Sequence, residues 1–204
     1  MLICGIDEAG RGPLAGPVVV AGFINTNKYF NKFITDSKKI SEPDREILFE
    51  EIVSSGGEFV IKRIEHNVID EINILAATMQ GMGLIAFELK QKCEKFLIDG
   101  KYFKLKEGKE KELNYETIVE GDAKIFEISC ASILAKVTRD RIMREYCKEY
   151  PNYNFSRHKG YATKEHIANI REYGLCPIHR RSFCKNFMET APLATEQESE
   201  QLCL

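Results

Sequence analysis

Four carboxylates stand where this sequence could do chemistry. Asp7 and Glu8 are adjacent and follow the apolar run Leu2-Ile3-Cys4-Gly5-Ile6. Asp99 follows Phe96-Leu97-Ile98, and Asp122 closes the stretch YETIVEGD (115–122). Each reads as the end of a short buried strand, just outside the core, where α/β sheets build their sites. Carboxylates converging at such a place repel one another and resist ionisation unless a cation neutralises them. An all-oxygen set suits a hard divalent ion, Mg²⁺ or Mn²⁺. One strand-end acid alone is better read as a cap or turn former. Four acids from three strand ends, followed by a basic segment, point to a two-metal site acting on a phosphodiester.

The formal charge is −2, but it is unevenly spread. Residues 136–185 carry 12 Lys and Arg against 5 Asp and Glu, the footprint expected of phosphate contacts. Seven cysteines form no CxxC pair and read as free thiols of a reducing cytoplasm. His158, His166 and His179 lie close in sequence and read as surface or phosphate-facing groups rather than metal ligands. No apolar run approaches the ~20 residues of a membrane span, and the N-terminus lacks a signal-peptide pattern. The expectation is a cytoplasmic protein of one domain, 1–190, with an acidic, loosely attached tail, 191–204.

The elements that must position the acids follow from periodicity. Strands are expected over 2–7 and 17–25, joined by a glycine-rich turn. Ser41 is a candidate N-cap for a helix over 43–54. A strand is expected over 58–65, then a long helical pattern over 67–95, where Gly81 and Gly83 mark a kink or a close contact. Strands over 95–100 and 115–122 flank a lysine-rich stretch, 101–114, read as a solvated loop. An amphipathic helix covers 125–149. Within 159–174 a loop precedes a helix stopped by Gly174, and a further helix starts near Pro177. The order describes a mixed α/β domain with helices packed on a central sheet. Neighbours in a strand point to opposite faces, so Asp7 and Glu8 can serve one cluster only if the strand ends there. Gly10-Arg11-Gly12-Pro13 supplies that ending.

Taken together, these residues resemble the ribonuclease HII family (type 2 ribonuclease H). GIDEAGRGPLAGPVV is similar to its opening motif. DSKK (36–39), LIDG (97–100), EGDAK (120–124), ASILAKVTRDR (131–141), HKGYATKEH (158–166) and PIHRRSF (177–183) match later blocks in order, over about 1–188. The resemblance implies a ribonuclease H-like fold with C-terminal helices. It also implies Mn²⁺- or Mg²⁺-dependent endonucleolytic cleavage of RNA in RNA–DNA hybrids, including 5′ of a lone ribonucleotide in DNA. The metal-binding and catalytic acids fall on Asp7, Glu8, Asp99 and Asp122. The Gly-Arg-Gly motif falls on Gly10, Arg11 and Gly12, and the junction-sensing tyrosine on Tyr161. Lys38, Lys39, Lys136, Lys159, Arg180 and Arg181 are expected phosphate contacts of a monomer that binds hybrid duplexes and ribonucleotide-containing DNA.

The chain departs from the family pattern near Asp122. Lys101–Asn114 looks long and lysine-rich, Glu120 stands where a lysine is expected, and Ile125 where a serine is. Type 3 enzymes, the nearest alternative, usually carry lysine between the two glycines and an extra N-terminal domain. Arg11 and a chain that opens in its first strand favour type 2. Another four-acid nuclease and a non-catalytic hybrid-binding protein are the remaining alternatives.

Overall fold

The run Val18–Ile24 is buried at every position, which marks it as an inner strand covered on both faces. In the computed structural model, which describes residues 2–188, it is β2 of a five-stranded sheet. The strands are β1 (Ile3–Ala9), β2 (Val18–Ile24), β3 (Glu58–Ile64), β4 (Lys95–Asp99) and β5 (Tyr115–Ile118), in the spatial order β3-β2-β1-β4-β5. β1–β2 and β2–β3 are antiparallel, and β1–β4 and β4–β5 are parallel. The mixed α/β fold agrees with the expectation. The tail expected over 191–204 lies outside the described residues.

The described residues also form seven α-helices: α1 (Glu42–Ser54), α2 (His66–Ile72), α3 (Ile74–Leu89), α4 (Phe126–Glu149), α5 (Phe155–His158), α6 (Lys164–Tyr173) and α7 (Arg181–Met188). Alternation along the strands sorts the core into two layers. Cys4, Ile6, Val20 and Ile24 pack on Met82, Ile85 and Leu89 of α3. Val19, Ala21 and Phe23 pack on Phe49 and Ile52 of α1 and on Ala131 and Leu134 of α4. A third cluster, with Leu14, Met143, Phe155, Ile170 and Ile178, joins the C-terminal helices to the turn after β1.

Ser41 caps α1 as expected, its Oγ accepting from the Asp44 amide at 3.3 Å. Several boundaries differ. The pattern over 67–95 is two helices meeting at a bend of 116°. The break falls at Asn73, with φ 67°, because its Oδ1 accepts from the Leu75 and Ala76 amides and starts a new helix. At Gly81 the close-contact reading holds rather than the kink, since a Cβ there would lie 2.8 Å from Val20. Residues 106–112 form 3₁₀ turns broken at Glu107 and Gly108, both at positive φ, and are mostly exposed as expected. Phe103 and Leu113 beside them are buried, and the buried Glu110 accepts from the Leu105 amide at 2.9 Å. The last helix starts at Arg181, later than Pro177. Among the described residues no single helix is long and apolar enough to cross a membrane.

β1 and α4 meet at Gly5, where an added Cβ would stand 2.2 Å from the Glu127 carbonyl carbon. Backbone on both sides cannot move aside as a flexible side chain can. Gly5→Ala is expected to cost about 1–3 kcal/mol through overpacking. For a chain of this size the melting temperature should fall by roughly 2–12 °C. Thermal unfolding checks this, and an unchanged midpoint would show that α4 shifts without strain.

Candidate active site

β1 does not end at Asp7, contrary to expectation. It runs to Ala9, still paired with β2 through Ala9↔Val19. What ends is its other neighbour: pairing with β4 stops at Ile6↔Ile98. From Asp7 onward β1 therefore has an open edge. Alternation still turns Asp7 and Glu8 to opposite faces, yet both border that edge. The next step of the parallel register sets Asp99, the last residue of β4, beside Asp7.

Asp7 lies on the α4 side and is buried, near Ser132 of α4, whose hydroxyl favours its charged form. Ser132 in turn lies 2.9 Å from the Ser37 hydroxyl. The Glu8 amide donates to Asp7 Oδ1 at 2.7 Å, and Glu8 Oε1 faces the Arg11 guanidinium at 3.3 Å. Asp99 Oδ1 accepts from the Gly121 amide at 2.7 Å, which ties β4 to the turn carrying the fourth acid. Asp122 does not close β5, which stops at Ile118. It occupies the 3₁₀ turn Gly121–Ala123, and its carbonyl accepts from Ser129 Oγ at 2.7 Å. Lys38 Nζ stands 3.7 Å from its Oδ2.

The electrostatics follow from this crowding. Burial pushes the Asp7 carboxyl well above the usual range, and the charges of Glu8 and Asp99 push it further. Burial also raises Glu8, against the pull of Arg11 and with a contribution from Asp99. Burial raises Asp122, opposed by Lys38. Partial burial works against the Lys38 ammonium, but Asp122, Asp36, Asp7 and Asp99 outweigh it and raise its pKa. Among the described residues no three His, Cys, Asp or Glu side chains are closed around a common point. The donor chemistry nonetheless fits hard divalent ions: oxygen ligands, with Asp7 and Asp122 buried, whose ionised forms need added positive charge.

The loop between β1 and β2 is held from below by two arginines. Gly10 has φ 98°, and a Cβ there would lie 2.0 Å from Arg139 Nε. Arg139, 1% exposed, donates to the carbonyls of Pro17, Lys159 and Ala15 at 3.0–3.1 Å. Arg180, 0% exposed, donates to the carbonyls of Gly16, Arg11 and Gly10 at 2.7–2.9 Å. This corrects the expectation for Arg180: each of its three nitrogens donates to the loop and the side chain is fully buried, so it does not face a phosphate. Burial lowers Arg139 to about 10. Burial, and then the charge of Arg139, lower Arg180 to about 9. The Arg11 side chain stays half exposed above them.

Tyr161 is 43% exposed beside Gly12, with the Arg139 guanidinium 5.8 Å from its ring centre. The three histidines lie beneath it and are buried, so the surface reading of them is corrected. The Cys176 amide donates to His179 Nδ1, His179 and His166 share their Nε2 atoms at 3.1 Å, and His166 Nδ1 meets the Tyr161 carbonyl at 3.0 Å. An amide can only donate, so His179 carries its proton on Nε2 and His166 on Nδ1. Burial lowers both rings to about 4, so this neutral relay holds the Tyr161 loop at neutral pH.

The other expected phosphate contacts divide. Lys38, Lys39 and Arg181 are exposed. Lys159 is buried, its ammonium 3.3 Å from both oxygens of Glu42. Lys136 is paired with Asp140 at 2.7 Å. The structure therefore gives these two ammonium groups protein partners rather than leaving them free for substrate. Arg139 and Ser132 escaped the sequence reading. One signal was available: Arg139 stands four residues from both Ala135 and Met143, on the buried stripe of α4.

Two variants probe this arrangement. With divalent ions chelated, Asp7→Asn should raise the melting temperature at neutral pH, because the amide removes a buried charge. The folded pKa of Asp7 is raised, so its favourable contribution exists below the ordinary carboxylate range and is lost as pH rises through the raised value. The variant's advantage should therefore vanish in acid and open as pH rises. A pH-independent difference would refute this account of Asp7. Arg180→Lys should destabilise the fold by about 2–5 kcal/mol in denaturant titration, since an ammonium cannot reach three carbonyls in fork geometry. A loss below measurement error would show that the loop holds itself.

With the geometry described, likeness to known proteins can be stated. Residues 4–186 match the family model described as Ribonuclease HII. The chain is 48% identical over 183 residues to a ribonuclease HII of Francisella tularensis subsp. novicida (strain U112), covering 90% of this chain and 96% of that protein. The solved ribonuclease H2 of Pyrococcus horikoshii OT3 is similar with a TM-score of 0.72 and 25% identity, over 93% of this chain and 98% of the other. Bst-RNase HIII, solved in complex with Mn²⁺, shares the fold with a TM-score of 0.70 at 14% identity, over 94% of this chain and 70% of that one. The match along nearly the whole described chain sets the type 3 alternative aside: the chain belongs to the ribonuclease HII family, endonucleases that hydrolyse RNA in RNA–DNA hybrids.

Proposed function

We propose that the open edge of β1 is where this enzyme cuts, and that Asp7, Glu8, Asp99 and Asp122 hold two divalent ions there, Mg²⁺ or Mn²⁺. The observation that carries the reading is the crowding of these acids, with burial and mutual repulsion raising Asp7. When bound, such ions activate water and stabilise charge on the leaving oxygen of an in-line displacement. Bst-RNase HIII, similar in fold, was solved in complex with Mn²⁺, which supports this reading.

The chain's own groups then select the phosphate. Backbone groups of Gly10–Gly12, held open by Arg139 and Arg180, approach the ribose and recognise its 2′-hydroxyl. Arg11 binds phosphate in planar fashion. The exposed ring of Tyr161 stacks on the deoxyribose that follows. Lys38, Lys39 and Arg181 supply further charge. One 2′-hydroxyl then suffices to place the bond, so a lone ribonucleotide in DNA is cut on its 5′ side, leaving 3′-hydroxyl and 5′-phosphate ends. The catalytic unit is 1–190, working as a monomer in the cytoplasm.

The deciding experiment is digestion of an internally labelled duplex containing one ribonucleotide, with Mg²⁺ and Mn²⁺ compared. One cut 5′ of that nucleotide is expected; a ladder from the ends, or no cut with either ion, would sink the proposal. Tyr161→Ala removes a stacking surface worth roughly 1–3 kcal/mol, hence about five-fold or more in rate. The loss should be greater on the single-ribonucleotide duplex than on a long hybrid, where many registers are productive. Equal rates for variant and wild type on both substrates would make Tyr161 a structural residue.

A further inference from the structure

Between β2 and α1 the chain crosses the segment NTNKYFNKFITDSKKI (25–40), which contains four lysines, Lys28, Lys32, Lys38 and Lys39, and one acid, Asp36. Phe30 is 73% exposed and Phe33 66%, the two most exposed large apolar side chains among the described residues. The segment is nevertheless anchored. Asn25 and Tyr29 exchange two side chain–backbone hydrogen bonds at 2.8 Å. Tyr29 and Asn31 both donate to Glu51 of α1, at 3.1 and 2.7 Å. These bonds hold the backbone and leave the two rings projecting.

The anchors also fix where the rings stand. The Phe30 ring centre lies 5.4 Å from that of Phe126, the first residue of α4 and four residues beyond Asp122. At the other end of the segment, Lys38 Nζ lies 3.7 Å from Asp122. One end of the segment thus packs on the start of α4, and the other borders Asp122. Arg11 and Tyr161 mark the flank of the acid cluster at Glu8, whereas this segment marks the flank at Asp122. Lys32 Nζ sits 5.2 Å from the Phe33 ring centre, so an ammonium and an aromatic face are presented together.

We propose that Phe30, Phe33 and Lys32 form a further contact surface for the nucleic-acid duplex, extending the cleft past Asp122. Exposed rings interleaved with ammonium groups match a polyanion with apolar sugar faces, the chemistry by which aromatic and basic side chains bind nucleic acid. In a duplex the bases are stacked away, so the rings meet sugars while the lysines meet phosphates. An apolar protein partner would instead have to desolvate several ammonium groups. The inference rests on the proposed function and lengthens the substrate footprint that it implies.

The test uses the full chain and a short labelled RNA–DNA hybrid. Affinity is read by fluorescence anisotropy with divalent ions chelated, and cleavage kinetics with Mg²⁺ present. Phe30→Ser/Phe33→Ser should raise both Kd and KM by about five-fold or more, with kcat unchanged and the melting temperature preserved, because neither ring is in the core. Lys32→Gln should lower the slope of log K against log salt by about one. Leu84→Ser, at an exposed position of α3, serves as a control and should change nothing. If the double variant binds and cuts like wild type, the surface serves something other than the duplex, a protein partner included, and the inference falls. A lowered kcat with unchanged Kd overturns it too. A wild type that neither binds nor cuts the hybrid would refute the proposed function and this extension together, whereas an active wild type with an unaffected double variant refutes only the extension.

Discussion

Two guanidinium groups buried beneath one loop are the constraint on which the site depends. Arg139 and Arg180 come from α4 and the C-terminal segment, and together they donate to six carbonyls of residues 10–17 and Lys159. Each charge loses several kcal/mol of hydration on burial, and no carboxylate stands among the hydrogen-bond partners named for them. The carbonyl dipoles must carry the compensation, which is possible only while the loop keeps its shape. The same bonds therefore specify the Gly10–Gly12 conformation and join the C-terminal helices to the sheet. Gly10 is small because Arg139 occupies the place its side chain would take.

The acids present the opposite problem. Asp7, Glu8, Asp99 and Asp122 are brought near one another at the edge where β4 has stopped and β1 continues. Their burial and mutual repulsion work against folding, as the raised Asp7, Glu8 and Asp122 carboxyls record. The two core layers must overcome that cost. α4 serves both ends of the arrangement, with Ser132 on Asp7 and, two turns further on, Arg139 under the loop. Displacing α4 would disturb the acids and the loop together, and Gly5 is what lets it lie so close.

Much of this was legible in the residues, and the exceptions share a cause. The acids stood out because they follow short strand-like runs, a local signal that survives without knowing which strands pair. The ending of β1 was misplaced because an open edge depends on the neighbour's length, and nothing in residues 5–17 records where β4 stops. The break at Asn73 was missed because Gly81 and Gly83 were the stronger helix-disfavouring residues, although tertiary contacts with Val20 and Leu105 account for both. Arg180 was counted as a basic residue among basic residues. Its burial, like that of His166 and His179, comes from helices distant in sequence folding over it, and net charge carries no trace of that.

Burial also explains how the basic C-terminal third divides. Counted as charge, residues 136–185 looked like one phosphate-binding surface. In the fold, Arg139 and Arg180 turn inward, Lys159 meets Glu42 and Lys136 meets Asp140, while Arg181 faces outward. Part of the apparent footprint is thus internal scaffolding, and exposed positive charge near the acids comes partly from elsewhere in the chain. Lys38, set against Asp122 by the segment before α1, is a cation that the fold leaves exposed beside the acids. The cleft is accordingly assembled from both ends of the sequence: an early loop supplies exposed cations, and a late basic segment supplies the buried ones that keep the neighbouring backbone in place.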